Sequence, residues 1–166
     1  MSAVENEAGE GIRAGEHQVR VPERFDAGIY FIGHIETPWP TRAACPRRGD
    51  MADGPLCTLH IDPRWAEALT GLAGLSHVQV LYWMDEARRD LVLQVPRGGT
   101  PAGTFALRSP VRPNPIASSV AALVEVEGTR VTVRGLDCRT GTPLIDLKPA
   151  RTPAEGAPAS APATAG

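Results

Sequence analysis

The chain has 166 residues, of which 22% are charged, with seventeen basic and nineteen acidic residues and a formal net charge of −2. That balance excludes recognition of nucleic acid by bulk positive charge. Sixteen of the seventeen basic residues are Arg, so a local patch suited to phosphates or carboxylates remains open. The three cysteines, Cys45, Cys57 and Cys138, form no CxxC pair. This argues against a disulfide scaffold or zinc knuckle and fits a reducing cytoplasm.

Residues 1–24 hold five Glu, three Arg and no aromatic. They carry too little apolar surface to offset their ordering entropy and read as a flexible segment. No apolar leader and no run of about 18 apolar residues occurs, so neither a secretory signal nor a membrane span is expected. Residues 25–151 are the expected folded domain, and the Ala/Pro-rich residues 152–166 read as a disordered tail.

Residues 28–36, GIYFIGHIE, alternate around β-formers and predict a strand. The next stretch, TPWPTRAACPRRGDMADGP, is too rich in Pro and Gly for regular structure and predicts a long, Arg-bearing loop. Leu56–Ile61 predicts a second strand. Asp62-Pro63 opens a short helix, with Asp as cap and Pro at the first turn. Trp65, Ala68 and Leu69 form its apolar face, and Gly71 and Gly74 end it. Residues 76–84, SHVQVLYWM, are nearly continuously apolar and predict a strand covered on both faces. Strands are also expected at Leu91–Val95 and Gly103–Leu107. The stretch RSPVRPNPIASS is too proline-rich for helix or central sheet. Ser119–Val126 and Thr129–Leu136 flank Glu127-Gly128 as a hairpin, and Leu144–Leu147 is a last short strand. The expected class is all-β: a small closed or partly open β-barrel of six to eight strands with one short helix.

Three segments are rich in chemistry and poor in regular structure: Cys45–Arg48, Arg108–Pro115 and Leu136–Pro149. Proline at this density stiffens a loop and holds Arg and Asn side chains ready at low entropic cost. The same features also suit a tight surface loop with solvated arginines. Trp39, Trp65 and Trp83 read as core or interface aromatics. His34, His60 and His77 lack metal-ligand spacing, so no metal is expected. Cys57 reads as a small buried apolar residue.

The string TFALRSPVRPNPIASSV resembles the signature of the TsaA/TrmO family, close to G-x-F-A-T-R-S-P-x-R-P-N-P-I-G-x-S. IGHIETPW is similar to that family's first strand, LSHVQVLYWM to its SHLWVLFWFH strand, and LDCRTGTPLIDLKPA to its LD-x-x-DGTPVLDIKPY segment. These blocks follow the family's order over residues 29–150. The resemblance implies a small β-barrel homodimer that binds S-adenosylmethionine without a Rossmann fold. It further implies methylation of N6 of threonylcarbamoyladenosine at position 37, in the tRNA anticodon loop.

By motif position, the resemblance assigns cofactor contacts to Pro46, Arg47, Arg48, Met84, Asp85, Arg108, Ser118, Gly141, Thr142 and Pro143. It places Arg112 and Asn114 near cofactor or substrate. Arg108 or Arg47 is the candidate fork for the methionyl carboxylate. Asp85 and Asp137 are both candidates for the proton acceptor, and Asp137, Asp146 and Lys148 match family letters whose role is open. The chain departs from the pattern at Arg48, Met84-Asp85, Ala117, Thr140 and Ala150, and it lacks the C-terminal extension of some members. A small-molecule methyltransferase and a non-catalytic cofactor-binding sensor are therefore the rival readings.

Overall fold

The structure is a computed structural model and describes residues 11–96 and 98–150. Nine strands follow in chain order: β1 (His17–Gln18), β2 (Gly33–Glu36), β3 (Leu56–Ile61), β4 (His77–Trp83), β5 (Leu91–Gln94), β6 (Ala102–Gly103), β7 (Ile116–Glu127), β8 (Arg130–Arg134) and β9 (Thr142–Pro149). Six of them close an antiparallel barrel in the order β2-β3-β8-β7-β4-β9. Closure depends on β9, which pairs with β2 through Ile35 and Thr142 and with β4 through Val80 and Leu147. A closed barrel leaves no sheet edge to template aggregation. The fold class is the one the sequence predicts.

The core follows from alternation. Cys57, Leu59 and Ile61 of β3, Val78, Val80 and Tyr82 of β4, and Val131 and Val133 of β8 are all buried, joined by Ile35, Ala121 and Leu144. Each buried aliphatic side chain stabilises the fold by about 1.5–3 kcal/mol before entropy is counted. Trp65 and Leu69 pack on this core from the segment Pro63–Leu69. That segment is the expected short helix, wound as a 3-10 helix and capped by Asp62, whose carboxylate accepts from the Arg64 N–H. Three further 3-10 turns have three residues each.

Several local expectations are corrected. Only Gly33–Glu36 of residues 28–36 is a strand, because only this part pairs with β3, and residues 33–35 pair with β9 as well. The segment Ser76–Met84 is not covered on both faces. Val78, Val80 and Tyr82 point inward while His77, Gln79, Leu81 and Trp83 stay half-buried on the outside. Gly103–Leu107 is not a strand: after β6 the chain turns into a 3-10 helix at Thr104–Ala106. The cause is the Thr104 hydroxyl, which is buried, donates to the Leu91 carbonyl at 2.8 Å and accepts from Gln94 at 2.7 Å. The proline-rich stretch also ends sooner than expected. Ile116–Ser119 already belong to β7, pairing with Trp83–Val80 of β4.

Within residues 1–24, the part from Arg13 onward is tied down. β1 pairs with β5, and β5 with β6, in a small three-stranded sheet beside the barrel. The anchor is polar, which is why a count of apolar surface misses it. The buried Glu16 carboxylate accepts from Arg13 Nε at 3.0 Å, from the Arg13 N–H at 3.0 Å and from the Val95 N–H at 3.2 Å. Residues 1–10 and the expected tail 152–166 lie outside the described residues.

Candidate functional site

A cavity of about 660 Å³ opens where β4 ends and β7 begins, walled by the Arg-bearing loop, the turn after β4, the proline-rich loop and the β8–β9 connection. This size lies within the usual range for small-molecule sites. Six arginines line it (Arg42, Arg47, Arg48, Arg108, Arg112 and Arg139) against three carboxylates (Asp85, Glu86 and Asp137). The apolar part of the wall comes from Pro46, Tyr82, Met84, Pro110, Ile116 and Ala117.

Local structure explains how these side chains converge. The Arg-bearing loop is pressed against the end of β8 at Gly49, where an added Cβ would lie 1.8 Å from the Gly135 carbonyl oxygen, so only glycine allows the approach. The proline-rich loop is braced from below. Gln94 Nε2 donates to the Val111 carbonyl at 2.7 Å, and Arg89 Nε donates to the Pro113 carbonyl at 2.5 Å. The Met84 N–H donates to the Pro115 carbonyl at 2.8 Å, which ties the end of β4 to this loop. The register shift between β4 and β9 at Leu81/Tyr82 falls beside the cavity, where a bulge re-aims side chains.

Of the positions singled out in the sequence, Pro46, Arg47, Arg48, Met84, Asp85, Arg108, Arg112, Ser118, Asp137 and Thr142 all line this cavity. Three do not. Gly141 takes a left-handed φ of 82° and donates its N–H to the Ile35 carbonyl at 2.7 Å, shaping the β8–β9 turn. Pro143 sits in β9 opposite His34. The Asn114 side-chain oxygen accepts from Arg89 at 3.1 Å and so braces the loop. Arg112 lines the cavity but is engaged by its own loop, donating to the carbonyls of Thr104 at 3.1 Å and Leu107 at 3.0 Å. Arg108 donates to the Ser118 carbonyl at 2.8 Å through one nitrogen.

Two features of the wall were not marked by the sequence spacing. Arg139 reaches across from the β8–β9 connection to Asp85 at 2.7 Å and Glu86 at 3.1 Å, locking the turn after β4 to the opposite wall. Tyr82, at an inward position of β4, places its hydroxyl 3.0 Å from Asp137 Oδ1 and 2.9 Å from Ser119 Oγ. The signal for the second was present, since a buried tyrosine hydroxyl needs a partner. Burial, and next the Asp137 charge, hold the Tyr82 phenol well above its ordinary pKa, so it is a neutral donor. Cys45 and Cys138 also line the cavity. Burial pushes the Cys138 thiol up to about 12 and raises that of Cys45, so neither supplies a ready thiolate nucleophile. Among the described residues no group of three or more His, Cys, Asp or Glu is arranged to hold a metal ion. No helix among them is long and apolar enough to cross a membrane.

Fold and site together define a small antiparallel β-barrel with an arginine-rich ligand cavity at one end. Residues 34–153 match the family model described as the tRNA-methyltransferase O N-terminal domain. The chain belongs to this family. Over 142 residues it is 48% identical to a protein of Rhizobium radiobacter named "Probable S-adenosyl-L-methionine-binding protein VirR", covering 85% of this chain and 81% of that one. An "S-adenosyl-L-methionine-binding protein" of Archaeoglobus fulgidus is 42% identical over 118 residues, covering 70% of this chain and 84% of the other. A crystal structure of TrmO from Pseudomonas aeruginosa superposes with a TM-score of 0.66 at 33% identity, over 84% of this chain and 61% of that one. A second crystal structure of TrmO from Pseudomonas aeruginosa gives 0.66 at 30% identity, over 86% and 64% respectively. The chain thus spans less than two thirds of those solved chains.

Proposed function

We propose that this chain binds S-adenosylmethionine in the cavity and transfers its methyl group to N6 of threonylcarbamoyladenosine at position 37 of tRNA. The observation that carries the reading is the convergence of three separate motif segments on one arginine-rich cavity of about 660 Å³. The donor set fits the cofactor. Its carboxylate suits an arginine fork, and among the described residues Arg42, Arg47 and Arg48 have no carboxylate within ion-pair distance. Arg47, Arg48 and Arg108 are the residues to hold that carboxylate. Met84, Ile116 and Ala117 offer apolar cover, and Ser118, whose oxygen accepts from Gln79 Nε2 at 2.9 Å, keeps its hydroxyl proton to donate.

When bound, the cofactor supplies an electrophilic methyl group. The chain's contribution is to orient the acceptor behind it and to exclude water, which accounts for much of the rate in a displacement of this kind. An anticodon-loop base is unpaired and can enter a small cavity without opening a duplex. The three free cysteines fit action in a reducing cytoplasm. The protein works as a homodimer in this reading, because Ile116, Val120 and Val124 leave apolar surface along the outside of β7. A monomer by sedimentation at micromolar concentration would contradict the dimer.

The test incubates purified protein and labelled S-adenosylmethionine with tRNA carrying threonylcarbamoyladenosine and with tRNA lacking it. Label in the modified tRNA alone is the expected result, with affinity that falls steeply as salt rises. Confirmed cofactor binding with no label in either tRNA would contradict the tRNA reading and favour a small-molecule acceptor or a sensor.

A further inference from the structure

Tyr82 is only 3% exposed, yet it stands in the wall of the cavity with Asp137 and Ser119. The direction of its hydrogen bonds follows from chemistry alone. An ionised carboxylate only accepts, so the Tyr82 hydroxyl donates to Asp137 Oδ1 at 3.0 Å. Its single proton is then used, and Ser119 must donate to the Tyr82 oxygen at 2.9 Å. The result is a one-way chain from Ser119 through Tyr82 to Asp137.

The three carboxylates of the cavity are held differently. Asp85 and Glu86 both face the Arg139 guanidinium, at 2.7 Å and 3.1 Å. Each therefore has an oxygen committed to that guanidinium. Asp137 has no ion-pair partner among the described residues, and its Oδ2 has no hydrogen bond among them. One oxygen is fixed by a neutral phenol, and the residue lines the cavity.

Resting on the methyl-transfer reading above, we propose that Asp137 takes the proton the acceptor nitrogen loses, and that Tyr82 is the positioning residue that fixes its carboxylate. The nitrogen–methyl bond forms as the carbon–sulfur bond breaks, with that electron pair staying on sulfur. The nitrogen's proton passes to the Asp137 carboxylate and from there to water. Charge balances: the positive charge lost at sulfur and the negative charge lost at Asp137 cancel. Asp85 is then a wall residue, locked by Arg139.

The experiment uses the full chain and the modified tRNA, with three variants that remove one piece each. Asp137→Asn keeps the shape of the side chain and removes the base. It should lower kcat by two to four powers of ten, the range for a positioned base, while calorimetry shows cofactor affinity within about threefold of wild type. Asp137→Ala should recover activity with added formate, which replaces the missing carboxylate. Tyr82→Phe should lower kcat roughly tenfold with KM unchanged and no response to formate. A readout without cofactor accompanies these. The chain has two tyrosines, so in a Tyr30→Phe background the tyrosine Raman doublet reports Tyr82 alone. Adding Asp137→Ala, which removes the acceptor, should move that doublet away from the strong-donor ratio.

Full kcat in Asp137→Asn, or a loss confined to cofactor affinity, would overturn the proposal while leaving methyl transfer standing. An unchanged Raman doublet would overturn the hydrogen-bonded arrangement. A wild-type chain that binds cofactor but transfers no methyl would remove the methyl-transfer reading and this proposal with it.

Discussion

Replacing Glu16 by Gln tests whether the N-terminal segment is held by charge. The buried carboxylate receives the Arg13 N–H at 3.0 Å, Arg13 Nε at 3.0 Å, Arg13 Nη2 at 2.5 Å and the Val95 N–H at 3.2 Å. These bonds, led by those from Arg13, bring its pKa down from 4.5 to about 2. A depressed carboxyl contributes stability that is fully present above its unfolded value and is lost as pH falls from there through about 2. Gln cannot supply the charge. Hydrogen bonds to a charged group are worth about 1.5–3 kcal/mol, and Arg13 keeps part of its hydration. The docking should therefore weaken by roughly 1–3 kcal/mol. The loss falls on β1 and its pairing with β5, not on the barrel. Amide exchange is the assay. Val95, and Val19, which donates to the Asp90 carbonyl at 2.8 Å, should exchange roughly five- to a hundredfold faster in Glu16→Gln at neutral pH. Barrel amides such as Leu59 should not change. In wild type the same two amides should lose protection between pH 4.5 and about 2. Unaltered exchange at Val95 and Val19 would refute the argument that this ion pair holds the segment.

Arg108→Ala should weaken S-adenosylmethionine binding by roughly 1.5–3 kcal/mol, the scale of a hydrogen bond to a charged group, and calorimetry with unchanged affinity would remove Arg108 from the site. Gly49→Ala places a Cβ 1.8 Å from the Gly135 carbonyl oxygen, so the Arg-bearing loop must lift; cofactor affinity should fall while the melting temperature changes little, and unaltered affinity would show that this loop does not build the site. Leu59→Ala should destabilise the barrel by about 2–5 kcal/mol in denaturant titration, as for a fully buried leucine. Cys57 and Cys138 should resist thiol reagents until the chain unfolds, since both are buried and burial raises their thiol pKa values to about 11 and about 12; rapid modification of either in the native state would contradict the packing.

The barrel was legible because its strands carry the period-two pattern of half-buried sheet: Cys57, Leu59 and Ile61 alternate inward as the sequence suggests. The hairpin of β7 and β8 was legible from Gly128, which takes a left-handed φ of 57° at the turn. Closure was not, because the pairing of β9 with both β2 and β4 joins residues far apart in the chain. The positions of the site came from collinear motif strings, and most of them meet in one cavity. What escaped were interactions that spacing does not encode. Arg139 finds Asp85 only once the barrel brings residues 54 apart in sequence together, and Tyr82 finds Asp137 across a separation of 55. Thr104 redirects a stretch that alternates like a strand through two buried hydrogen bonds. Glu16 orders a segment through charge that a hydrophobic count does not register.

A crystal structure of the chain grown with S-adenosylmethionine shows most directly whether the arginine-rich cavity is its site. Density for the cofactor is expected between Arg47, Met84, Arg108 and Ser118, with its carboxylate on one of the arginines. Cofactor bound elsewhere on the barrel, or an empty cavity at saturating concentration, would contradict this placement.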